Sequence, residues 1–213
     1  MSSSFLEAFG NTHLYPITDQ HLSGLSHEEQ VVLLGNCGAP VIQLREKVDP
    51  PMKFFEQAES AMRVAGELGA KIIINDRVDI ALAVKAFGVH LGQEDLPPDA
   101  ARRILGSDAI IGFSTHTLKQ ARLAAEMPVD YVAIGPIFST TTKQSANAPV
   151  GLDDLARIRA CLGAMPLVAI GGITNANIDA VLNAGADVVA VIGDIWVPAK
   201  DSRDKIDRLL AYR

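Results

Sequence analysis

Two aspartates follow short apolar segments of the sequence and together have the chemistry of a metal site. Asp76 comes directly after Lys71–Asn75, and Asp95 comes shortly after Gly88–Leu91. If these segments are adjacent parallel strands, both carboxylates lie at the same edge of a sheet. Mg²⁺ binds hard oxygen ligands of this kind, taking one or two carboxylates and leaving its other positions to water and substrate phosphates. The alternative is that each aspartate caps the helix that follows it.

Cationic side chains occur near the same kind of segment end. Arg45 and Lys47 follow the apolar segment Pro40–Leu44, and Arg77 and Lys143 lie in later connections. Positive charge gathered beside a metal ion suits the binding of a phosphate or diphosphate ester. The alternative is that these residues form an ordinary solvated charged surface.

The polarity of the residues around Gln43 alternates with a period of two. Val41, Gln43 and Arg45 fall on one face of an extended strand, and Ile42 and Leu44 fall on the other. The apolar pair suits an outer face covered by helices. We therefore expect Gln43 and Arg45 to point toward the interior of the fold.

Hydroxyl groups and glycines mark a second candidate site for an anion. Ser114 follows the fifth apolar segment, and Thr140–Thr142 lie in the long connection 136–149. Gly172 follows the seventh apolar segment, and Gly193 follows the eighth. Because glycine has no side chain, it lets backbone N–H groups approach phosphate oxygens closely. The alternative is a set of tight turns without a ligand.

Apolar, often β-branched segments alternate with segments of helical periodicity along the whole chain. The predicted strands are His13–Thr18, Pro40–Leu44, Lys71–Asn75, Gly88–Leu91, Ala109–Phe113, Asp130–Gly135, Pro166–Ile170 and Asp187–Ile192. The predicted helices are Glu28–Asn36, Met52–Leu68, Asp79–Ala86, Asp99–Leu105, Leu118–Glu126, Leu152–Cys161, Asn175–Ala184 and Ser202–Tyr212.

This alternation predicts an α/β fold with parallel strand pairing through helical crossovers. Eight such units indicate a (β/α)₈ TIM barrel that forms one domain over residues 1–213, with residues 1–12 as an N-terminal arm or short helix. An open doubly wound sheet is the alternative, although it usually has about five or six strands. In a barrel, the ends of the strands at which the residues above occur are the ends that build active sites.

The composition excludes several classes of function. The 213 residues include 19 lysines and arginines against 25 aspartates and glutamates, for a net charge of −6. This balance disfavours binding to nucleic acid or to an anionic membrane. No run of about 18 apolar residues suggests a spanning helix, and the first residues lack the basic and apolar regions of a secretory signal. We expect a cytoplasmic protein that acts on small molecules, with formation of a homo-oligomer left open.

Taken together, the motifs resemble those of the thiamine-phosphate synthase family over residues 13–195. The matching segments are YPITD (15–19), QLREK (43–47), INDR (74–77), GVHLGQEDLP (88–97), STHT (114–117), GPIFSTTTK (135–143) and AIGGI (169–173). They occur in order at the ends of successive predicted strands. A generic phosphate-binding barrel would share only the glycine segments.

The resemblance implies a (β/α)₈ transferase of thiamine biosynthesis. Such an enzyme joins 4-amino-2-methyl-5-hydroxymethylpyrimidine diphosphate to 4-methyl-5-(2-phosphooxyethyl)thiazole, with thiamine phosphate and diphosphate as products. The resemblance also implies one Mg²⁺ per subunit, held by Asp76 and Asp95, and a dissociative substitution in which diphosphate leaves first.

The resemblance further implies two sets of substrate contacts. The pyrimidine diphosphate contacts map onto Gln43, Leu44, Arg45, Glu46, Lys47, Asn75, Ser114 and Lys143, of which Arg45, Ser114 and Lys143 are the expected catalytic residues. The thiazole phosphate contacts map onto Thr140, Thr141, Thr142, Gly172, Ile192 and Gly193. Many family members have serine at the position of Gly193, so here a backbone amide is expected to replace a hydroxyl contact.

Two other functions fit parts of the same pattern. A thiazole tautomerase-like enzyme would share the fold and the thiazole phosphate pocket, and a regulatory barrel would bind thiazole phosphate without turnover. Neither function needs the carboxylate pair of Asp76 and Asp95. Binding of the pyrimidine diphosphate that depends on Mg²⁺ distinguishes the synthase from both.

Overall fold

Strands and helices alternate along the chain in the order that the sequence predicts. A computed structural model describes residues 4–140, 148–196 and 201–212. The strands are β1 (Leu14–Pro16), β2 (Val41–Leu44), β3 (Lys71–Asn75), β4 (Gly88–Leu91), β5 (Ile110–Thr115), β6 (Tyr131–Ile134), β7 (Leu167–Ile170) and β8 (Val188–Val191). The sequence placed the end of β5 at Phe113. The strand continues to Thr115 because the Thr115 hydroxyl donates to the Ala133 carbonyl oxygen at 2.9 Å and extends the pairing with β6.

All eight strands are parallel and form one sheet in the order β1-β8-β7-β6-β5-β4-β3-β2. The two outer strands of this order also meet, because Ile17 bridges Gln43 and the Thr18 N–H donates to the Gln43 carbonyl oxygen at 2.9 Å. The sheet is therefore a nearly closed barrel. The (β/α)₈ prediction is confirmed, and the open doubly wound sheet is excluded.

Helices alternate with the strands, and most of them cover the outside of the barrel. They are α1 (Ser4–Phe9), α2 (Gln20–Ser23), α3 (His27–Asn36), α4 (Pro51–Leu68), α5 (Val78–Ala83), α6 (Pro98–Leu105), α7 (Leu118–Ala124), α8 (Gly151–Leu162), α9 (Ile178–Asn183), α10 (Gly193–Trp196) and α11 (Ser202–Leu210). Helix α9 begins later than predicted, because Asn177 turns the chain before it, accepting from the Thr174 N–H and donating to the Gly172 carbonyl. Across residues 4–140, 148–196 and 201–212, every helix is too short or too polar to cross a membrane.

The buried side chains form two layers that alternate along each strand. Outward residues pack under the helices, and inward residues such as Val41, Ile73 and Val168 fill the barrel. Helix α1 closes the amino-terminal end of the barrel, with the Phe5 ring stacked on Tyr131 at 4.0 Å between centroids. This packing leaves the carboxyl ends of the strands as the open mouth of the barrel.

A half-buried arginine and aspartate stabilise the amino-terminal end of β5. Arg102 of α6 donates to the Asp130 carboxylate at 2.7 Å and to the Ala109 carbonyl at 2.6 Å. The same carboxylate oxygen accepts the Ile111 N–H at 2.7 Å. One ion pair thus joins a helix to the starts of two neighbouring strands.

The same arrangement recurs two units later in the barrel. Arg159 of α8 donates to the Asp187 carboxylate at 2.8 Å and to the Met165 carbonyl at 2.7 Å. The Asp187 oxygen accepts the Leu167 N–H at 2.8 Å.

We expect Asp187→Ala to lower the free energy of unfolding by about 2 kcal/mol, because it leaves Arg159 and the Leu167 N–H without their carboxylate acceptor. The matched control is Asp154→Ala, which removes an exposed ion pair with Arg157 and should cost less than about 0.5 kcal/mol. Urea denaturation of the two variants measures the difference. Equal losses would contradict the role given to Asp187.

Candidate active site

A cavity of about 520 Å³ opens at the carboxyl ends of β5 to β8. The predicted site residues Ser114, Thr140, Gly172, Ile192 and Gly193 all line it. The strand ends thus bring together residues that are far apart in the sequence. A cavity of this volume is in the range that holds a small organic ligand.

The glycines after β7 form one wall of this cavity. Gly171 and Gly172 have φ angles of +100° and +67°, a left-handed conformation that glycine adopts without strain. A Cβ atom on Gly172 would lie 2.7 Å from the Ser139 carbonyl oxygen, so only glycine fits there. The backbone therefore comes directly to the cavity surface, as binding of a phosphate requires.

The cavity wall also has polar residues for which the sequence motifs predicted no substrate role, His116 and Asp194 among them. The His116 ring donates from Nδ1 to the Gly135 carbonyl oxygen at 2.6 Å, because a carbonyl can only accept. Asp194 brings a carboxylate to the same wall. The predicted contacts Thr141, Thr142 and Lys143 lie outside the described residues.

The predicted metal ligands lie beside each other at the ends of β3 and β4. Asp76 forms an ion pair with the Lys47 ammonium group and adopts a positive φ of 63°. Burial raises the pKa of Asp95, and the hydrogen bond and negative charge of Asp76 raise it further, against the opposing effects of the Gly92 N–H and Lys47. Two carboxylates so near each other repel when both are ionised. A cation bound between them would relieve that repulsion.

The donor set of this pair fits Mg²⁺. It consists of two carboxylates, and the described part of the chain places no third His, Cys, Asp or Glu with them in a metal-binding group. Mg²⁺ usually takes one or two protein carboxylates and keeps waters or substrate phosphates at its other positions. Lys47, which pairs with Asp76, brings positive charge to the place where a phosphate would meet the ion.

Arg45 is held in place by its partners after β2. Its guanidinium donates to the Asp19 carboxylate at 2.7 Å, and its backbone N–H donates to the Thr18 hydroxyl at 3.1 Å. Asp19 also caps α2 by accepting the Leu22 N–H at 3.1 Å. The rigid pairing fixes the guanidinium, whose remaining N–H groups can donate to an anion.

Glu46 and Leu44 do not present their side chains to the mouth. Leu44 is fully buried in the outer core. One Glu46 oxygen accepts the backbone N–H groups of Lys47, Val48 and Asp49, which follow it in the loop. Burial disfavours ionisation of Glu46, but these N–H groups outweigh it and lower the pKa. The carboxylate therefore shapes the loop that carries Lys47.

His27 lies buried beneath this loop. Its Nδ1 atom lies 2.8 Å from the Thr18 hydroxyl, and its Nε2 atom lies 3.5 Å from the Glu46 carboxylate. Burial lowers the pKa of His27, and the charge of Glu46 offsets only part of that effect. The neutral ring is the form that the fold accommodates.

We expect the protein to lose stability in mild acid because of His27. Its folded pKa lies below the unfolded value of about 6.5, so the unfolded chain binds the proton more readily. Its contribution to stability is therefore present above that value and is lost as the pH falls toward the folded pKa. Urea unfolding near pH 8 and about pH 5.5 should show a larger decrease for the wild type than for His27→Gln. The exposed His21→Gln is the control, and identical pH dependence in all three proteins would contradict this assignment.

Gln43 and Asn75 point into the barrel, as the alternation along β2 predicts for Gln43. Gln43 is 2% exposed and donates to the Tyr15 hydroxyl at 3.1 Å. The Asn75 amide nitrogen is buried and has no hydrogen-bond partner among residues 4–140, 148–196 and 201–212. A buried donor of this kind is costly unless a ligand accepts from it, so Asn75 fits its predicted role in substrate binding.

Three inward-facing polar residues were missed by sequence reasoning about the site. Tyr15, His90 and Tyr131 are buried in the barrel below the mouth. Each has a polar group at an inward strand position, where an aliphatic side chain would be usual. That signal is present in the sequence, but the contacts between them depend on strand register.

Comparisons with known proteins show the family of the chain. A family model described as thiamine monophosphate synthase matches residues 14–195. The chain belongs to this family. The resemblance inferred from the sequence motifs is confirmed, and the thiamine monophosphate synthase family is one of transferases that form thiamine phosphate in thiamine biosynthesis.

Individual relatives of the family agree in length as well as sequence. A thiamine-phosphate synthase from Chloroflexus aurantiacus is 45% identical over 183 residues, which are 85% of this chain and 84% of that protein. One from Pelotomaculum thermopropionicum is 43% identical over 210 residues, or 98% of this chain and 94% of that protein. The solved thiamine phosphate pyrophosphorylase from Pyrococcus furiosus is 36% identical, with a TM-score of 0.84 over 93% of this chain and 94% of that chain.

Proposed function

We propose that this protein joins 4-amino-2-methyl-5-hydroxymethylpyrimidine diphosphate to 4-methyl-5-(2-phosphooxyethyl)thiazole. The observation that carries the proposal is that one barrel mouth holds a carboxylate pair beside a lysine and, next to it, a glycine-walled cavity. A carboxylate pair with Lys47 lies at β3 and β4, and a glycine-walled cavity lies at β5 to β8. Membership of the thiamine monophosphate synthase family supports the choice of these two anionic substrates.

The reaction breaks one bond and forms another at the same carbon. The bond from the pyrimidinylmethyl carbon to the diphosphate oxygen breaks, and the electron pair leaves with diphosphate. The thiazole nitrogen then gives its lone pair to that carbon and becomes the positively charged nitrogen of thiamine phosphate. No proton has to be removed, so the protein contributes positioning and electrostatic stabilisation rather than a strong base.

The residues of the mouth divide these tasks. Arg45 and Lys47, with Lys143, neutralise the diphosphate as its charge grows, and Ser114 donates a hydrogen bond to it. Asn75 offers its buried amide to the same substrate. Mg²⁺ on Asp76 and Asp95 would act as a Lewis acid toward the leaving diphosphate.

The thiazole phosphate occupies the cavity at β5 to β8. The backbone N–H groups near Gly172 and Gly193 and the Thr140 hydroxyl bind its phosphate, together with Thr141 and Thr142. Gly193 starts α10, so its amide takes the place of the serine hydroxyl common in the family. This arrangement directs the thiazole ring toward Ser114 on β5, which lines the same cavity.

We extend the proposal to one Mg²⁺ per subunit and a cytoplasmic location. Both substrates are charged phosphate esters, which do not cross an apolar bilayer unaided. If both substrates are made in the cytoplasm, the enzyme that joins them must be there as well.

Calorimetric titration of each substrate tests the proposal against its alternatives. We expect the pyrimidine diphosphate to bind with Mg²⁺ and to lose at least most of its affinity in EDTA, and the thiazole phosphate to bind in either condition. Binding of the thiazole phosphate alone would instead indicate a tautomerase-like enzyme or a non-catalytic barrel. For Asp76→Asn and Asp95→Asn, which each remove a carboxylate ligand, the matched control is Asp99→Asn, which changes an exposed carboxylate of α6.

A further inference from the structure

A continuous chain of hydrogen bonds crosses the interior of the barrel and ends at Ser114. Gln43 donates to the Tyr15 hydroxyl at 3.1 Å, and the two tyrosine hydroxyls of Tyr15 and Tyr131 lie 3.3 Å apart. The Tyr131 hydroxyl lies 2.8 Å from His90 Nδ1, and His90 Nε2 lies 2.8 Å from the Ser114 hydroxyl oxygen. All members except Ser114 are buried.

The strand register is built to make this chain possible. His90, Gly112 and Tyr131 are paired neighbours across β4, β5 and β6. A Cβ atom on Gly112 would overlap the phenol of Tyr131, so the absence of a side chain there lets the phenol reach across β5. The His90 and Tyr131 rings consequently stack with centroids 5.5 Å apart.

The direction of the first bond in the chain is fixed, because its donor has no choice. An amide nitrogen such as Gln43 Nε2 can only donate, so the Tyr15 oxygen accepts from it. The hydrogen of Tyr15 can then be directed to the Tyr131 oxygen, 3.3 Å away. In that arrangement Tyr131 donates to His90 Nδ1, 2.8 Å away. Burial raises the pKa of both tyrosines. Each phenol therefore stays protonated and can donate a hydrogen bond to the next group of the chain.

This arrangement determines which nitrogen of the His90 ring carries the hydrogen. A neutral ring that accepts at Nδ1 carries its hydrogen on Nε2, and His90 therefore donates to the Ser114 oxygen. Ser114 then has its own hydrogen available for a group in the cavity. If the hydrogen bonds ran in the opposite direction, the Ser114 hydroxyl would donate its hydrogen to His90 instead.

We propose that Tyr15, Tyr131 and His90 are positioning residues that hold the Ser114 hydroxyl as a hydrogen-bond donor toward the leaving diphosphate. This inference rests on the proposed function for the identity of the acceptor. The direction of the chain is a property of the protein alone. It explains why a transferase that needs no base has a histidine beside its serine: the imidazole acts as a donor and removes no proton.

NMR spectroscopy of the ¹⁵N-labelled protein without substrates tests the direction. Long-range ¹H–¹⁵N spectra distinguish the imidazole tautomers, and the protein's 5 histidines can be assigned with His90→Gln. We expect His90 in the Nε2–H form in the wild type, and a loss of that exclusive form in Tyr131→Phe. An Nδ1–H form of His90 in the wild type would overturn the proposal.

Kinetics of single and double variants test the consequence for catalysis. We expect Tyr131→Phe to lower kcat about tenfold and Ser114→Ala to lower it about 10²-fold. The double variant should be no slower than Ser114→Ala alone, because Tyr131 acts only through that hydroxyl. If the fold-losses in kcat of the two single variants multiply in the double variant, the proposal is overturned.

Two controls keep the result interpretable. Tyr212→Phe removes a tyrosine hydroxyl that donates to the Asn175 carbonyl outside the barrel, and it should leave kcat unchanged. If Tyr131→Phe does not fold, Tyr15→Phe interrupts the same chain one step earlier and carries the same two expectations. Wild-type protein without product would refute the proposed function, whereas the tautomer measurement would still decide the direction of the chain.

Discussion

Replacing Asp76 or Asp95 with asparagine is expected to lower turnover about 10²-fold or more. Each change removes half of the charge that would hold Mg²⁺ and leaves a weaker amide ligand. Asparagine is the informative substitution at residue 76, because the φ of 63° there is one that Asn tolerates and most other residues do not. Steady-state rates at limiting Mg²⁺ are the measurement.

The metal dependence distinguishes this effect from general damage to the site. Both variants should recover part of their rate at high Mg²⁺, whereas the exposed Asp99→Asn should behave as the wild type at every concentration. Near-native rates for Asp76→Asn and Asp95→Asn at limiting Mg²⁺ would contradict the metal assignment.

Replacing Arg45 with methionine is expected to lower kcat/KM for the pyrimidine diphosphate about 10²-fold. Methionine keeps an unbranched side chain of similar length but loses the charge and the N–H donors that would meet the diphosphate. Arg45→Lys should recover only part of the rate, because an ammonium group lacks the planar fork that matches phosphate oxygens. KM for the thiazole phosphate should change little, since Arg45 is not among the residues that line its cavity.

The partner of Arg45 provides a way to separate stability from activity. Asp19 is only 8% exposed, and Arg45→Met leaves its carboxylate without an ion pair. The variant should therefore also lose stability. Adding Asp19→Asn should restore the stability and not the rate. Recovery of both would mean that Arg45 acts through the fold alone, and the exposed Arg63→Met on α4 controls for loss of a positive charge.

The barrel itself was predictable because local patterns determine it. Apolar segments with period-two polarity, such as the one containing Gln43, alternate with helical segments and leave parallel pairing as the consistent arrangement. The strand ends then bring Asp76 and Asp95 together without any knowledge of side-chain contacts. The extension of β5 through Ser114 to Thr115 was not predictable, since it depends on pairing with Ala133 and Ile134 of the next strand.

Side-chain roles within a motif were harder to predict than its position. Glu46 lies in the same short motif as Arg45, yet its carboxylate accepts backbone N–H groups of its own loop. Only the three-dimensional path of the loop reveals that difference. The motif residue Glu46 is better described as shaping the site, while its contact with the diphosphate stays a prediction.

The chain from Gln43 to Ser114 illustrates a second limit of sequence reasoning. Its bonds join five strands and depend on register, on the missing side chain of Gly112 and on the direction of one amide. Each residue type was visible in the sequence. Their connection was not, because hydrogen bonds across a barrel have no fixed sequence spacing.

The most direct test of the central claim is product formation by the purified protein. Incubation with both substrates and Mg²⁺, followed by chromatography, should yield thiamine phosphate and diphosphate in equal amounts, and product should disappear with EDTA and return when Mg²⁺ is restored. Absence of thiamine phosphate while both substrates still bind would contradict the account and identify the barrel as a binding protein.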